Sequence, residues 1–362
     1  MGAQSSENVP TRQGGYVVDG CATADYDCAW VLSDASPVIR QISLQTIRDA
    51  ASVVYEAAVR TPLVRLDLPP APGHDGAEIF LKLENLQPIG SFKVRGALNA
   101  IRHLTSEQLA EGVWTVSAGN AAQGVALAAR KAGVACRVLV MDSAPETKLN
   151  AIRRLGAEIV QAPYDECWRT VEEHRSDRMR GHFVHPFDDD HFISGNGTIG
   201  LEIVEDLPDV DAVIAPIGGG GLITGIGAAM RELNPDVKIY AAEPETAAPL
   251  AASLRAGRAS VFEAWTASFV DGAGGRSVIP TMWPLLKEYV ADSVVVSLDE
   301  VAQAMKTVAD RVHVVMEGAA ACAVAAALSP EMARRGHTRI VAVVSGGNID
   351  LSRFAKLTGS CA

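Results

Sequence analysis

Between Asp211 and Gly225 the chain reads DAVIAPIGGGGLITG: an apolar run, four consecutive glycines, then a segment with helical spacing. A buried strand that opens into a helix through bare backbone limits the fold more than any other stretch of this sequence. One or two glycines suffice for a flexible turn. Four at a helix N-terminus present N–H groups unobstructed by side chains, and such groups cradle a phosphate. The spacing is neither GxGxxG nor GxxxxGK followed by Ser or Thr, so a dinucleotide or ATP is not the natural ligand. A small group with a single phosphate fits Gly218, Gly219, Gly220, Gly221 and the N–H of Leu222 better.

The same strand-to-helix succession recurs along the chain. Short apolar strands are expected at Glu78 to Leu83, 113–117, Arg137 to Met141, Glu158 to Gln161, Asp211 to Ala215, Lys238 to Ala242 and Ile340 to Val344. Helical spacing lies between them, from about Phe92 to Leu104, Ala121 to Ala132, Pro145 to Leu155, Leu222 to Leu233, Glu300 to Val312 and Gly318 to Leu328. Strands separated by helices of this length form mostly parallel sheets flanked by helices. Two series, around 113–161 and 211–344, predict an α/β protein of two such lobes with the active site in the cleft between them. A chain of 362 residues is long enough for both.

Charge and composition narrow the function. Lys and Arg number 32 against 43 Asp and Glu, a net −11, and aromatic residues make up 5%. An acidic surface with few stacking platforms argues against nucleic acid. No stretch reaches the roughly 18 to 20 apolar residues that span a bilayer. Six cysteines (Cys21, Cys28, Cys136, Cys167, Cys322, Cys361) show no ligand spacing, and the N-terminus lacks the charged-then-apolar pattern of a secretory signal, so a reducing, cytoplasmic location is expected.

Three further segments carry chemistry. In GSFKVRGA, Lys93 opens a helix among apolar residues after a Pro-containing turn. A lysine amine there loses part of its charge to desolvation and to the helix N-terminus, which makes it a nucleophile able to form a Schiff base. In TVSAGNAAQG a strand ends in small polar residues and opens a helix, so free N–H groups can take a carboxylate, with Ser117 and Asn120 adding side-chain bonds. An N-cap explains one of these residues but not the group. The strand Ile340 to Val344 ends in SGGN, which presents the Ser345 hydroxyl.

Together these four segments resemble the pyridoxal-phosphate enzymes of fold type II, the tryptophan-synthase-β fold, and within them the serine/threonine dehydratase branch. The resemblance runs from about Ile42 to Asp350 and includes HPFDD from His185, GTIGLE from Gly197, and Glu317-Gly318-Ala319. It implies pyridoxal 5'-phosphate bound through Lys93, which then serves as base on the substrate Cα–H. Phe92, Asn120, Glu317, Ser345, Gly218 to Gly221 and Leu222 would contact the cofactor. Ser117, Ala118, Gly119, Asn120 and Ala121 would hold the substrate. A neutral hydroxyl at the pyridine nitrogen draws less charge into the ring than a carboxylate would, which favours expelling a β-substituent. The resemblance also implies an extension at 1–41, a large cofactor-binding domain at 42–111 with 188–362, a small domain at 112–187, and a homo-oligomer, a dimer or tetramer.

The implied reaction is ammonia-lyase chemistry on L-threonine or L-serine, giving a 2-oxo acid and ammonia. Departures bear on that expectation. Ala118 stands where family racemases have a serine, and alanine moves no proton, so serine racemase activity is disfavoured. KVRG follows where synthases that replace the β-substituent usually have Asp-Arg. Ala121 stands where a histidine is usual, which leaves room for another β-hydroxy amino acid such as 3-hydroxyaspartate. Glu243 has no second carboxylate at Pro249, so no metal site is expected.

Overall fold

The structure, a computed structural model, describes residues 40–68 and 77–359. The expected extension, Cys21, Cys28 and Cys361 lie outside the described residues, apart from Arg40 and Gln41. Among the described residues ten strands form two sheets: β1 Leu63–Arg65, β2 Glu78–Lys82, β3 Val113–Val116, β4 Cys136–Met141, β5 Glu158–Ala162, β6 His182–Phe183, β7 Ala212–Pro216, β8 Lys238–Pro244, β9 Asp292–Val296 and β10 Arg339–Val343. The larger sheet has the order β1-β2-β10-β7-β8-β9 and the smaller β5-β4-β3-β6. The edge pair β1–β2 is antiparallel; the other pairings of these ten strands are parallel.

Strand order explains the site. β2, β10 and β7 are neighbours and parallel, so their carboxyl ends emerge side by side. β2 leads through a 3-10 turn, Glu84–Leu86, to the lysine loop; β10 leads to SGGN, and β7 leads to the four glycines. In α/β sheets ligands bind outside the carboxyl ends of the strands. The fourth motif comes from the carboxyl end of β3 in the other sheet.

Alternate residues of the central strands feed two cores. Ile214, Ile340 and Ala342 point to one face, where they pack on the buried helix Gly318–Leu328 (GAAACAVAAAL). Val213, Val341 and Val343 point to the other, where they join Ile223, Ile226 and Met230 of the Gly221–Leu233 helix. Small side chains let the alanine helix lie close against four strands of the larger sheet, as a parallel sheet covered on both faces requires.

The expected strands and helices are present, with ends moved by at most two residues. The longest helix, Asp190–Asp206, was not among them. Its Gly195, Gly197 and Gly200 read as breakers in sequence but are contact points in the fold. A Cβ on Gly195 would lie 2.6 Å from the Arg95 carbonyl oxygen, and one on Gly200 2.8 Å from the Ala229 Cβ. The helix is buried nearly all round, so it shows no amphipathic stripe. Asp189 caps its start by accepting from the Phe192 N–H at 2.7 Å.

Candidate active site

Lys93 is the first residue of the Lys93–Arg102 helix, whose remaining residues through Ile101 are buried. The loop before it is stitched to the loop after β10. Phe92 N–H donates to the Ser345 carbonyl at 3.0 Å, Gly347 N–H to the Gly90 carbonyl at 2.9 Å, and Ser91 bridges Gly346. Gly90 has φ +72°, a left-handed conformation that glycine adopts without strain. Lys93 itself is intermediate in exposure. Its amine lies 5.1 Å from the Phe92 ring centre and 5.2 Å from that of Phe192, and donates to the Pro186 carbonyl at 2.5 Å. Desolvation, with no acidic partner, pulls its pKa down to about 7.

The four glycines lie where the Gly221–Leu233 helix begins. The Gly221–Leu233 helix starts inside the run, with Gly220 in the left-handed region at φ +96° as its N-cap. Among the described residues no group accepts a hydrogen bond from the N–H groups of Gly218, Gly219, Gly220, Gly221 or Leu222. N–H groups without protein acceptors at a helix start, two on half-buried and three on buried residues, suit an anion. The Leu222 side chain itself is buried in the core, so it serves the site only through its backbone.

Asn120 opens the Asn120–Ala132 helix after Gly119, which makes no side-chain cap. The simple N-cap reading of this loop is therefore not what the fold uses. Asn120 Nδ2 donates to Glu317 Oε1 at 2.7 Å, and Asn120 Oδ1 accepts from Asn348 Nδ2 at 2.7 Å. These bonds tie the β3 loop of one sheet to the β10 loop of the other. Burial, with Asp271 adding repulsion, pushes the Glu317 carboxyl up to about 7. Ser117 Oγ accepts from the Gly119 N–H at 3.1 Å, which shapes the loop. Ser117, Ala118, Gly119 and Asn120 are all partly open to solvent, whereas Ala121 is buried. Ser345 is buried at the end of β10.

Several participants carried no sequence signal of their own. The Pro186 carbonyl is a backbone group, and HPFDD pointed to it only as a segment. Phe187 covers the glycine loop so closely that a Cβ on Gly219 would lie 2.2 Å from its ring. Asn348 was visible only as the last letter of SGGN. Glu243 has both oxygens engaged: they accept from the N–H groups of Leu250 and Ala251, each at 2.8 Å, and from the Ser293 hydroxyl at 2.5 Å. Among the described residues no group of three or more His, Cys, Asp or Glu is placed to hold a metal.

Comparison with known proteins defines the class. Residues 54–346 match the family described as "Pyridoxal-phosphate dependent enzyme", and this chain belongs to it. Over 318 residues it is 40% identical to the L-threonine ammonia-lyase of Thermotoga maritima, covering 87% of this chain and 78% of that one. Among solved structures, the processed form of threonine deaminase isoform 2 from Solanum lycopersicum superimposes with a TM-score of 0.78 at 32% identity, over 91% of this chain and 98% of the other. Maize serine racemase superimposes with a TM-score of 0.81 at 32% identity, over 88% and 97%.

The residues present fit pyridoxal phosphate. An amine held near neutrality, five unengaged N–H groups at a helix start and a buried serine at the adjoining strand end match its aldehyde, phosphate and ring nitrogen in kind.

Proposed function

We propose that this chain is a pyridoxal-phosphate-dependent ammonia-lyase that converts L-threonine, and L-serine, to the 2-oxo acid and ammonia. The observation that carries the reading is the Lys93 amine, desolvated and without an acidic partner, together with the Gly218 to Leu222 N–H groups, which no described residue engages. When bound, pyridoxal phosphate supplies an electron sink that acidifies the substrate Cα–H. Lys93, largely neutral above pH 7, takes that proton. The N–H groups of Gly218 to Leu222 would hold the phosphate, and the Ser345 hydroxyl would meet the ring nitrogen. Phe92 backs the lysine, while Asn120, steered by Glu317 and Asn348, would bond the ring's phenolic oxygen. The Ser117-Ala118-Gly119-Asn120-Ala121 turn receives the substrate carboxylate on its N–H groups. Ala118 offers no proton to the opposite face of Cα, which favours elimination over racemisation despite the likeness to maize serine racemase.

We also infer a cytoplasmic homo-oligomer, with 42–111 and 188–362 as the cofactor domain and 112–187 as the small domain; light scattering of the purified protein tests the assembly. The test of the reaction is the visible spectrum before and after L-threonine. A cofactor band that shifts, with 2-oxobutanoate accumulating, supports the reading. A band that ignores both threonine and serine but responds to 3-hydroxyaspartate moves the substrate, not the chemistry. Lys93→Ala abolishes the covalent band and lowers turnover by on the order of 10⁴-fold, the upper range for a lost acid–base group.

A further inference from the structure

The turn from His185 to Asp188 joins β6 of the smaller sheet to the Asp190–Asp206 helix, and it touches both halves of the site. Its Pro186 carbonyl accepts from the Lys93 amine. Its Phe187 ring lies on Gly219, and the Phe187 carbonyl would be 2.7 Å from a Cβ on Gly221. We propose that His185 is a positioning residue whose Nδ1 lone pair, by collecting two N–H groups of this turn, aims the Pro186 carbonyl at Lys93 and so parks that amine whenever it is free of cofactor. The proposal rests on Lys93 as the attachment point, not on which substrate is eliminated.

Chemistry at the ring fixes its state. Nδ1 accepts from Asp188 N–H at 2.7 Å and Phe187 N–H at 3.3 Å, and Nε2 faces the Val171 carbonyl at 3.1 Å. Backbone N–H groups only donate and a carbonyl only accepts, so Nδ1 carries no hydrogen and Nε2 carries one. Burial, with the His174 ring 4.5 Å away, pulls the His185 pKa down to about 4, so this neutral tautomer persists through the working pH range. The far end of the turn is pinned separately. Asp188 accepts from the Arg40 guanidinium and, at 2.6 Å, from the Thr281 hydroxyl. Proline has no N–H of its own, so the direction of its carbonyl depends on these flanking anchors. An amine that gives one N–H to a fixed carbonyl no longer rotates freely about Cε–Nζ, and its lone pair keeps one direction, ready to recapture the cofactor carbon.

Two near-isosteric variants separate the ring nitrogens. In His185→Asn the amide oxygen takes the place of Nδ1 as acceptor; in His185→Gln the amide nitrogen takes the place of Nε2 as donor. Holoenzyme is mixed with L-alanine, which has no β-hydroxyl to expel, and then diluted. The return of the lysine-bound visible band reports Lys93 forming its C–N bond as the amino acid's C–N bond breaks and alanine leaves as free amine. We expect His185→Gln to slow that return on the order of tenfold and to lower kcat more than it alters KM, with His185→Asn close to wild type. The two are expected to melt at similar temperatures. Equal slowing in both variants, or slowing that follows their loss of Tm, overturns the proposal. Thr281→Val supplies a milder variant should both His185 variants fail to fold: it loosens Asp188 alone and is expected to slow the return at unchanged Tm, and an unaltered rate there overturns the proposal. Reduction of the holoenzyme with borohydride and peptide mapping tests the premise separately, since a label on any lysine but Lys93 removes the premise rather than the turn's role.

Discussion

Lys93 and Arg95 stand two residues apart on one buried helix turn, yet they meet opposite electrostatic fates. Arg95 is fully buried and paired on both sides, its Nη2 2.8 Å from Glu84 Oε1 and its Nη1 2.6 Å from Glu202 Oε1. Burial acts to lower its pKa, but the two carboxylates outweigh burial and raise it. Lys82, also fully buried, pairs with Glu202 Oε2 at 2.6 Å. Lys93 has no carboxylate, and desolvation alone brings it to about 7. A buried cation with carboxylate partners serves the scaffold; a desolvated one without them is a candidate for chemistry. The same contrast holds for carboxylates, since Glu202 is held low against burial by Arg95 and Lys82 while Glu317, bonded chiefly to a neutral amide, rises to about 7.

The contrast can be broken at four points. Arg95→Leu strands the carboxylates of Glu84 and Glu202, and thermal unfolding is expected to show a loss of about 3–5 kcal/mol, the cost of removing one partner from a buried ion pair. Tyr55→Phe removes the 2.7 Å hydroxyl bond to Glu202 Oε1 at the rim of the same cluster, and about 1 kcal/mol is expected to be lost. Glu317→Gln changes a slope. The folded carboxyl holds its proton up to about pH 7 while the unfolded one releases it near 4.5, so its contribution to stability is present below 4.5 and lost as pH rises through 7. Denaturant titrations of the cofactor-free protein across that window show this decline in the wild type and a flatter profile in the variant. Lys93→Met is the smallest change: it removes an amine with no charged partner and one bond to a neutral carbonyl, so the cofactor-free variant melts close to wild type although it is inactive. A marked fall in its Tm would erase the distinction from Arg95.

Much of the site was legible because each motif is a short contiguous run at a strand end, where composition and position coincide. Gly218 to Gly221, Lys93, Asn120 and Ser345 all follow that rule, and β2, β10, β7 and β3 deliver them. What was hidden depends on partners far away in sequence. Nothing near Arg95 announces Glu84 and Glu202, and a histidine whose task is to hold a turn looks like any other. The Asp190–Asp206 helix escaped notice because glycine lowers helix propensity locally, while the fold needs it so that two helices can approach. Gly195 makes the point: its missing side chain leaves room for the Arg95 carbonyl, which an isolated propensity cannot register.

Strand order has a consequence for the protein's synthesis. β10, the latest of the described strands to be made, lies between β2 and β7, so the loops after β2 and β7 lack their shared neighbour until residues 339–343 have been translated. The contacts that bring Ser345 beside Phe92, and Asn348 beside Asn120, close loops of more than two hundred residues. Such long-range closures come late in folding. Until then Lys93 is an ordinary solvated lysine with a pKa of about 10.4. The growing chain would therefore carry Lys93 almost wholly protonated, and its amine would become a better nucleophile towards an aldehyde once the central strand is in place.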